Sequence, residues 1–79
     1  MKAKVHVSLK DGVLDPQGRA IKNALNSIGF DGISEVRQGK YIEIVLEDIS
    51  SAGAEEKVRE MCDKLLVNTV IEKYEVELD

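Results

Sequence analysis

The sequence predicts an α+β fold, a two-layer sandwich in which two helices cover one face of a four-stranded antiparallel sheet. Segments with a period of two, typical of half-buried strands, alternate along the chain with segments of helical periodicity. Their order is βαββαβ, and right-handed connections then favour a ferredoxin-like arrangement. No linker or repeat interrupts the 79 residues, so a single domain over 1–79 is expected.

The first strand and the first helix have clear sequence signals. Apolar and polar residues alternate over Lys2–Leu9, which predicts a strand with one buried face. Asp15 is a suitable N-cap, Pro16 suits the first helical position, and Gly29 suits the position after the helix. The apolar residues of this helix share one face and should cover the sheet: Ile21, Ala24, Leu25 and Ile28.

The second half of the chain predicts the remaining strands. We expect a short second strand at Ile33–Arg37, a tight turn at Gln38 and Gly39, and a third strand at Tyr41–Glu47. The fourth strand should span Val70–Leu78.

A second helix is expected between the third and fourth strands. Ser50 or Ser51 would cap it, and it would run to about Leu66. Its apolar stripe consists of Ala54, Val58, Met61, Cys62 and Leu65.

Composition restricts the classes of function. Eleven basic and fifteen acidic residues give a net charge of −4, which makes nucleic acid an unfavourable partner. The chain begins without a signal-peptide pattern and has no apolar run long enough to cross a bilayer, so a cytoplasmic protein without membrane partners is expected. A chain of this size has a marginal core, and its single cysteine excludes an internal disulfide. Oligomerisation is therefore expected, with Val45 part of an apolar patch on the uncovered sheet face.

No motif indicates catalysis or a cofactor. His6 has no triad partner at a local spacing, and Cys62 lies on an apolar stripe, so both are interpreted as structural. The chain lacks the Cys-x-x-Cys pair of a metal chaperone, the stacking aromatics of an RNA-recognition motif and any glycine-rich phosphate loop. We therefore expect no catalytic, metal or cofactor-binding residues in this chain.

The unusual features of the sequence indicate a docking surface instead. A glycine in the first turn of a helix lowers helix propensity, which suggests close approach to the backbone there. Basic residues near that turn and beside the expected hairpin could supply directional contacts, although solvated surface charge is an equal alternative. The candidate docking residues are Asp15, Gln17, Gly18, Arg19, Arg37 and Lys40.

The run Leu9–Ile21 resembles the signature of the PurS family, small subunits of phosphoribosylformylglycinamidine synthase. The similarity continues through Val36–Lys40 and Met61–Asn68 and covers essentially the whole chain, with Thr69 as a departure where many members have proline.

The resemblance implies a non-catalytic subunit in de novo purine biosynthesis. In the family, PurS dimers bridge a PurL-type synthetase and a PurQ-type glutaminase and assist ammonia transfer. The small core and the uncovered sheet face of this chain predict a homodimer or a dimer of dimers. ATP and Mg²⁺ would be used by the synthetase subunit and not by this chain.

Two other functions share the predicted topology. An ACT-like regulatory module that binds a small molecule is the main alternative. An acylphosphatase-like hydrolase would need an anion-binding loop after the first strand, and Asp11 and Asp15 make that loop unsuitable for an anion.

Overall fold

The computed structural model describes residues 1–47 and 51–79, apart from the side chain of Ser51. Its elements are β1 (Lys2–Leu9), α1 (Pro16–Ser27), β2 (Gly39–Val45), α2 (Ser51–Met61), a π-helix (Cys62–Leu66) and β3 (Glu72–Leu78). The predicted cap at Ser50 or Ser51 lies outside what is described. The bounds predicted for the first strand and the first helix match the structure closely.

β1 is the central strand of the sheet. The strand order is β2-β1-β3, and β1 pairs antiparallel with both neighbours. Alternation along β1 directs Ala3, Val5 and Val7 to one face, where all three are buried. We call this the inner face. The opposite face of the sheet is called the outer face.

α2 and the π-helix cover part of the inner face. The buried cluster joins these helices to β1 and consists of Ala3, Val5, Val7, Val58, Cys62 and Val67. In the π-helix, the Val67 N–H donates to the Cys62 carbonyl oxygen at 2.9 Å, five residues back. This wider turn leaves Cys62 in the core while Leu65 is 84% exposed. The predicted stripe of the second helix is therefore wrong at Leu65.

The prediction of a four-stranded sheet is wrong, because the described residues form a sheet of three strands. Ile33–Arg37, expected to be the second strand, has no strand structure, and the turn expected at Gln38 and Gly39 is replaced by the start of β2. The backbone of this segment bonds side chains from the first half of the chain. The Gln38 N–H donates to Asp15, and the Ser34 carbonyl accepts from Lys22.

The expectation that both helices cover the sheet is also wrong. α1 has the predicted apolar stripe, but it takes no part in the buried cluster formed by the described residues. Ile28 is 71% exposed, and Ile21 is also exposed. The described chain is elongated, with principal extents of 50 × 24 × 15 Å, because α1 lies away from the sheet.

The outer face is charged, contrary to the expected apolar patch. Lys4 lies between Glu43 of β2 and Glu77 of β3 in the strand register. Ion pairs join Lys2 to Glu43 at 3.7 Å and Lys4 to Asp79 at 3.4 Å. Val45 is 73% exposed at this face, and alternating charge surrounds it. Uncovered apolar surface is also present on α1 and on the inner face.

Shortening a buried side chain of the central strand tests whether the core lies on the inner face of the sheet. Val5→Ala should lower the free energy of unfolding by about 2 kcal/mol, because it removes two fully buried methyl groups and leaves a cavity. Val45→Ala is the matched control on the neighbouring strand and should change stability by less than about 0.5 kcal/mol. Urea unfolding measures both, and equal effects would contradict the inner-face core.

Candidate docking site

Asp15 is bonded to two parts of the chain at once. It is the N-cap of α1, and its Oδ1 accepts a hydrogen bond from the Gly18 N–H at 2.9 Å. Its Oδ2 accepts from the Gln38 N–H at 2.6 Å. The N–H groups of Gln38 and Gly18 lower the pKa of Asp15 below its ordinary value, and the positive charge of Arg37 contributes less. Asp15 is therefore ionised at neutral pH, the state that accepts both bonds.

Arg37 bonds the same region from the opposite direction. Its guanidinium group donates to the carbonyl oxygen of Val13 at 2.8 Å and to that of Lys10 at 3.1 Å. Residues 10–15 lead from β1 into α1, and residues 33–38 lead back from α1 to β2. We call these two cross-bonded segments the neck.

Gly18 has a steric role in the neck. It is the buried residue of α1, and a Cβ at this position would collide with the Val36 carbonyl oxygen. The close approach inferred from the helix propensity of glycine is thus an approach within the chain. Replacing Gly18 would disturb residues 33–38 before it affected any partner.

The other predicted docking residues are separate from these neck bonds. The side chain of Arg19 is exposed, and within the described ranges none of its side-chain atoms is hydrogen-bonded or ion-paired. Gln17 is exposed beside it and contributes a backbone N–H near the Asp15 carboxylate. Lys40 lies on β2, where its Nζ is 3.9 Å from Glu72 Oε2.

A groove of about 480 Å³ lies between α1 and residues 34–37. Asp15, Arg19 and Arg37 line it together with Leu14, Lys22 and Glu35. Gln17, Gly18 and Lys40 lie outside it. The structure thus brings together three of the six predicted docking residues, and the docking role of all six stays a prediction.

The structure has a second groove, which the sequence did not predict. It has a volume of about 570 Å³, lies between α2, the π-helix and β2, and exposes almost entirely apolar surface. Ile44, Met61, Leu65 and Leu66 form its apolar walls, with Lys57, Glu60 and Lys64 also lining it. The only sequence signal for this groove is the pair of adjacent leucines at positions 65 and 66. A regular α-helix could not direct both side chains into one narrow buried stripe. We call this the apolar groove.

His6 and Cys62, the two side chains that could be reactive, do not lie together. His6 is exposed on the outer face, with its ring centroid 5.0 Å from that of Tyr41. Cys62 is buried, and burial raises the pKa of its thiol, with the nearby Asp63 carboxylate acting in the same direction. The thiol is therefore protonated at neutral pH, the unreactive form. Across residues 1–47 and 51–79, no group of three or more His, Cys, Asp or Glu side chains could hold a metal ion.

Within the same ranges, no helix has both the length and the apolar character needed to span a bilayer.

Comparison with known proteins identifies the family. The model of the PurS family, described as phosphoribosylformylglycinamidine (FGAM) synthase, matches residues 2–79. The subunit PurS of this synthase from Bacillus subtilis is 50% identical over 78 residues, which cover 99% of this chain and 92% of that protein. The corresponding subunit from Methanocaldococcus jannaschii is 46% identical over 78 residues, covering 99% and 94% of the two chains.

Solved structures agree with this similarity. The crystal structure of PurS from M. jannaschii superposes with a TM-score of 0.89 at 46% identity, covering 99% of this chain and 94% of that one. A chain in the structure of PurLQS from Thermotoga maritima superposes with a TM-score of 0.87 at 34% identity, covering 96% and 93%. Because the family model and these relatives extend over nearly the whole sequence, the chain belongs to the PurS family.

Proposed function

We propose that this chain is the non-catalytic subunit of a phosphoribosylformylglycinamidine synthase in purine biosynthesis, where it bridges the glutaminase and synthetase subunits. The observation that carries this proposal is the nearly full-length similarity to a chain of the T. maritima PurLQS structure. The buried, protonated thiol of Cys62 and the position of His6 against Tyr41 on the outer face agree with a subunit that supplies surfaces to the complex.

A bridging subunit has a chemical purpose in a glutamine-dependent ligase. Ammonia released into bulk water would be protonated and would lose its nucleophilicity, so the site that releases ammonia must be held in register with the site that uses it. A subunit that aligns the two sites would raise glutamine-dependent synthesis without reacting itself. ATP and Mg²⁺ would bind to the synthetase subunit.

Reconstitution with cognate PurL-type and PurQ-type subunits tests the bridging role. Adding this chain should raise glutamine-dependent formation of the amidine product by at least about tenfold, because proximity effects are large. Synthesis from added ammonium should change much less, because free ammonia needs no transfer between sites. An ACT-like regulatory module would change neither rate, and equal effects on both rates would contradict coupling.

Self-association is part of this proposal, as a homodimer or a dimer of dimers. The apolar stripe of α1 is largely uncovered, and the apolar groove on the inner face is also uncovered. The groove lies on the inner face between β2 and α2, with Ile44 among its walls. We infer that α1 of a second copy lies in the groove.

This exchange is reciprocal, because each copy offers one helix and one groove. A two-fold axis would place α1 of each copy in the groove of the other, which is the self-complementary pattern of a symmetric dimer. β2 and β3 each have one free edge that could extend the contact between copies. The charged outer face would stay in contact with water.

Polar substitutions on α1 test this dimer. The double variant Ile21→Gln and Leu25→Gln should raise the dimer dissociation constant by at least about tenfold, because it removes apolar contact area and keeps good helix formers. The matched control is Asn23→Gln with Asn26→Gln, which changes two residues of α1 outside the stripe and should leave association unchanged. Sedimentation equilibrium measures both, and a monomeric parent protein at all concentrations would remove the proposed dimer.

Arg19 provides the cleanest test of docking to the larger subunits, since its side chain has no bond to lose among the described residues. Arg19→Glu should preserve the circular dichroism spectrum and self-association, and it should lower glutamine-dependent synthesis several-fold by weakening assembly. Lys73→Glu is the control. It makes an equal charge reversal at an exposed residue of β3, whose side chain forms an ion pair with Asp11. If both variants support the parent rate, Arg19 is ordinary surface charge.

A further inference from the structure

The groove between α1 and residues 34–37, which we call the neck groove, has an excess of positive charge. Its charged lining residues are Arg19, Lys22, Arg37, Asp15 and Glu35. The charge of Arg37 lowers the pKa of Asp15, so these two charges compensate each other. In the part of the chain that the structure describes, Glu35 forms no ion pair with Arg19 or Lys22. The neck groove is therefore locally positive, although the whole chain has a net charge of −4.

Arg19 has an unfavourable position in the chain alone. It lies in the first turn of α1, where the helix dipole disfavours a cation. Lys22 follows three residues later, so two like charges are neighbours on the helix surface. Lys22 Nζ donates to the Ser34 carbonyl oxygen at 2.9 Å, whereas the side chain of Arg19 has no such bond among the described residues. The guanidinium group of Arg19 is thus available to a group outside the chain.

Apolar surface lies in the same groove as this guanidinium group. Leu14 is 82% exposed, and Pro16, Ala20 and Val36 are further lining residues. Protein–protein interfaces combine apolar contact with arginine, which is enriched there relative to the rest of the protein surface. The groove therefore suits a protein segment that has a carboxylate next to an apolar side chain.

The neck groove is separate from the surface proposed for self-association. Pro16, Arg19, Ala20 and Asn23 follow the spacing i, i+3, i+4 and i+7, which places them on one face of α1. The apolar stripe of α1 lies on a different face of the same helix. A second copy bound at the stripe would therefore leave the neck groove open to a larger subunit.

We propose that the neck groove binds a segment of a larger subunit in which a carboxylate lies next to an apolar side chain. The guanidinium group of Arg19 forms a bidentate ion pair with the carboxylate, and Leu14 contacts the apolar side chain. This inference rests on the proposed function, because it requires a larger subunit as the partner. The planar fork of arginine matches a carboxylate, whereas the ammonium group of lysine is a point charge.

Substitutions in the neck groove test this contact. The dissociation constant is measured with fluorescently labelled chain and a mixture of the cognate PurL-type and PurQ-type subunits. Arg19→Gln should raise it by at least about tenfold, and Arg19→Lys by at least about fivefold, because lysine keeps the charge and loses the fork. Leu14→Ala should raise it by about threefold through lost apolar contact. Lys73→Gln is the control on β3 and should stay within about twofold of the parent.

Ionic strength separates a carboxylate partner from an uncharged one. The ratio of the parent association rate to the Arg19→Gln rate should fall towards one between about 0.05 and about 0.3 M NaCl, because salt screens the attraction of Arg19 for an acidic segment. A ratio that stays constant over this range would contradict the carboxylate. The ratio of the parent rate to the Lys73→Gln rate should stay near one throughout.

The outcomes distinguish this inference from the proposed function. A parent chain that does not bind the larger subunits would overturn both. If the parent binds and either Arg19→Gln or Arg19→Lys binds equally well, the proposed function stands and the bidentate contact is wrong. Sedimentation of the chain alone tests the remaining occupant. If Arg19→Gln weakens self-association, a second copy occupies the neck groove, and the assignment to a larger subunit is wrong.

Discussion

The carboxylate of Asp15 accepts hydrogen bonds from two N–H groups, those of Gly18 and Gln38, that are distant in the sequence. This pair of bonds ties the start of α1 to the segment that leads into β2. A carboxylate that accepts two backbone N–H bonds is stabilised in its charged form, which agrees with the lowered pKa of Asp15. Residues 33–37, which lead up to Gln38, have no strand structure, and the apolar stripe of α1 is largely uncovered.

The small core agrees with the proposed self-association. With α1 away from the sheet, the buried cluster is limited to residues of β1, α2, the π-helix and Val67. A domain of this length buries only about 60% of the surface that its unfolded chain exposes. If one apolar helix face also stays exposed, the free energy of folding is small. Stability gained by covering the groove and the stripe in a dimer would make folding and assembly interdependent.

The distribution of charge over the chain agrees with a role in assembly. The outer face of the sheet carries alternating charges joined in ion pairs, which favours contact with water over contact with another sheet. The apolar groove and the stripe of α1 are the surfaces suited to a second copy. The groove beside the neck, with Arg19 and Arg37 near Glu35, is suited to a partner of different composition. Separate surfaces would let one small subunit bind its own copy and larger partners at the same time.

The sequence by itself determined the local elements and the family. Alternation over Lys2–Leu9, the cap at Asp15 and the stop at Gly29 depend on neighbouring residues only, and the structure has β1 and α1 where these signals predict them. Only the tertiary structure decided how the elements are used. Residues 33–37 have the apolar pattern of a strand, but their backbone bonds Lys22 and packs on Gly18. The π-helix turns Leu65 outward, although periodicity places it in the core. These outcomes depend on bonds between groups that are distant along the chain, and a periodic pattern contains no information about such bonds.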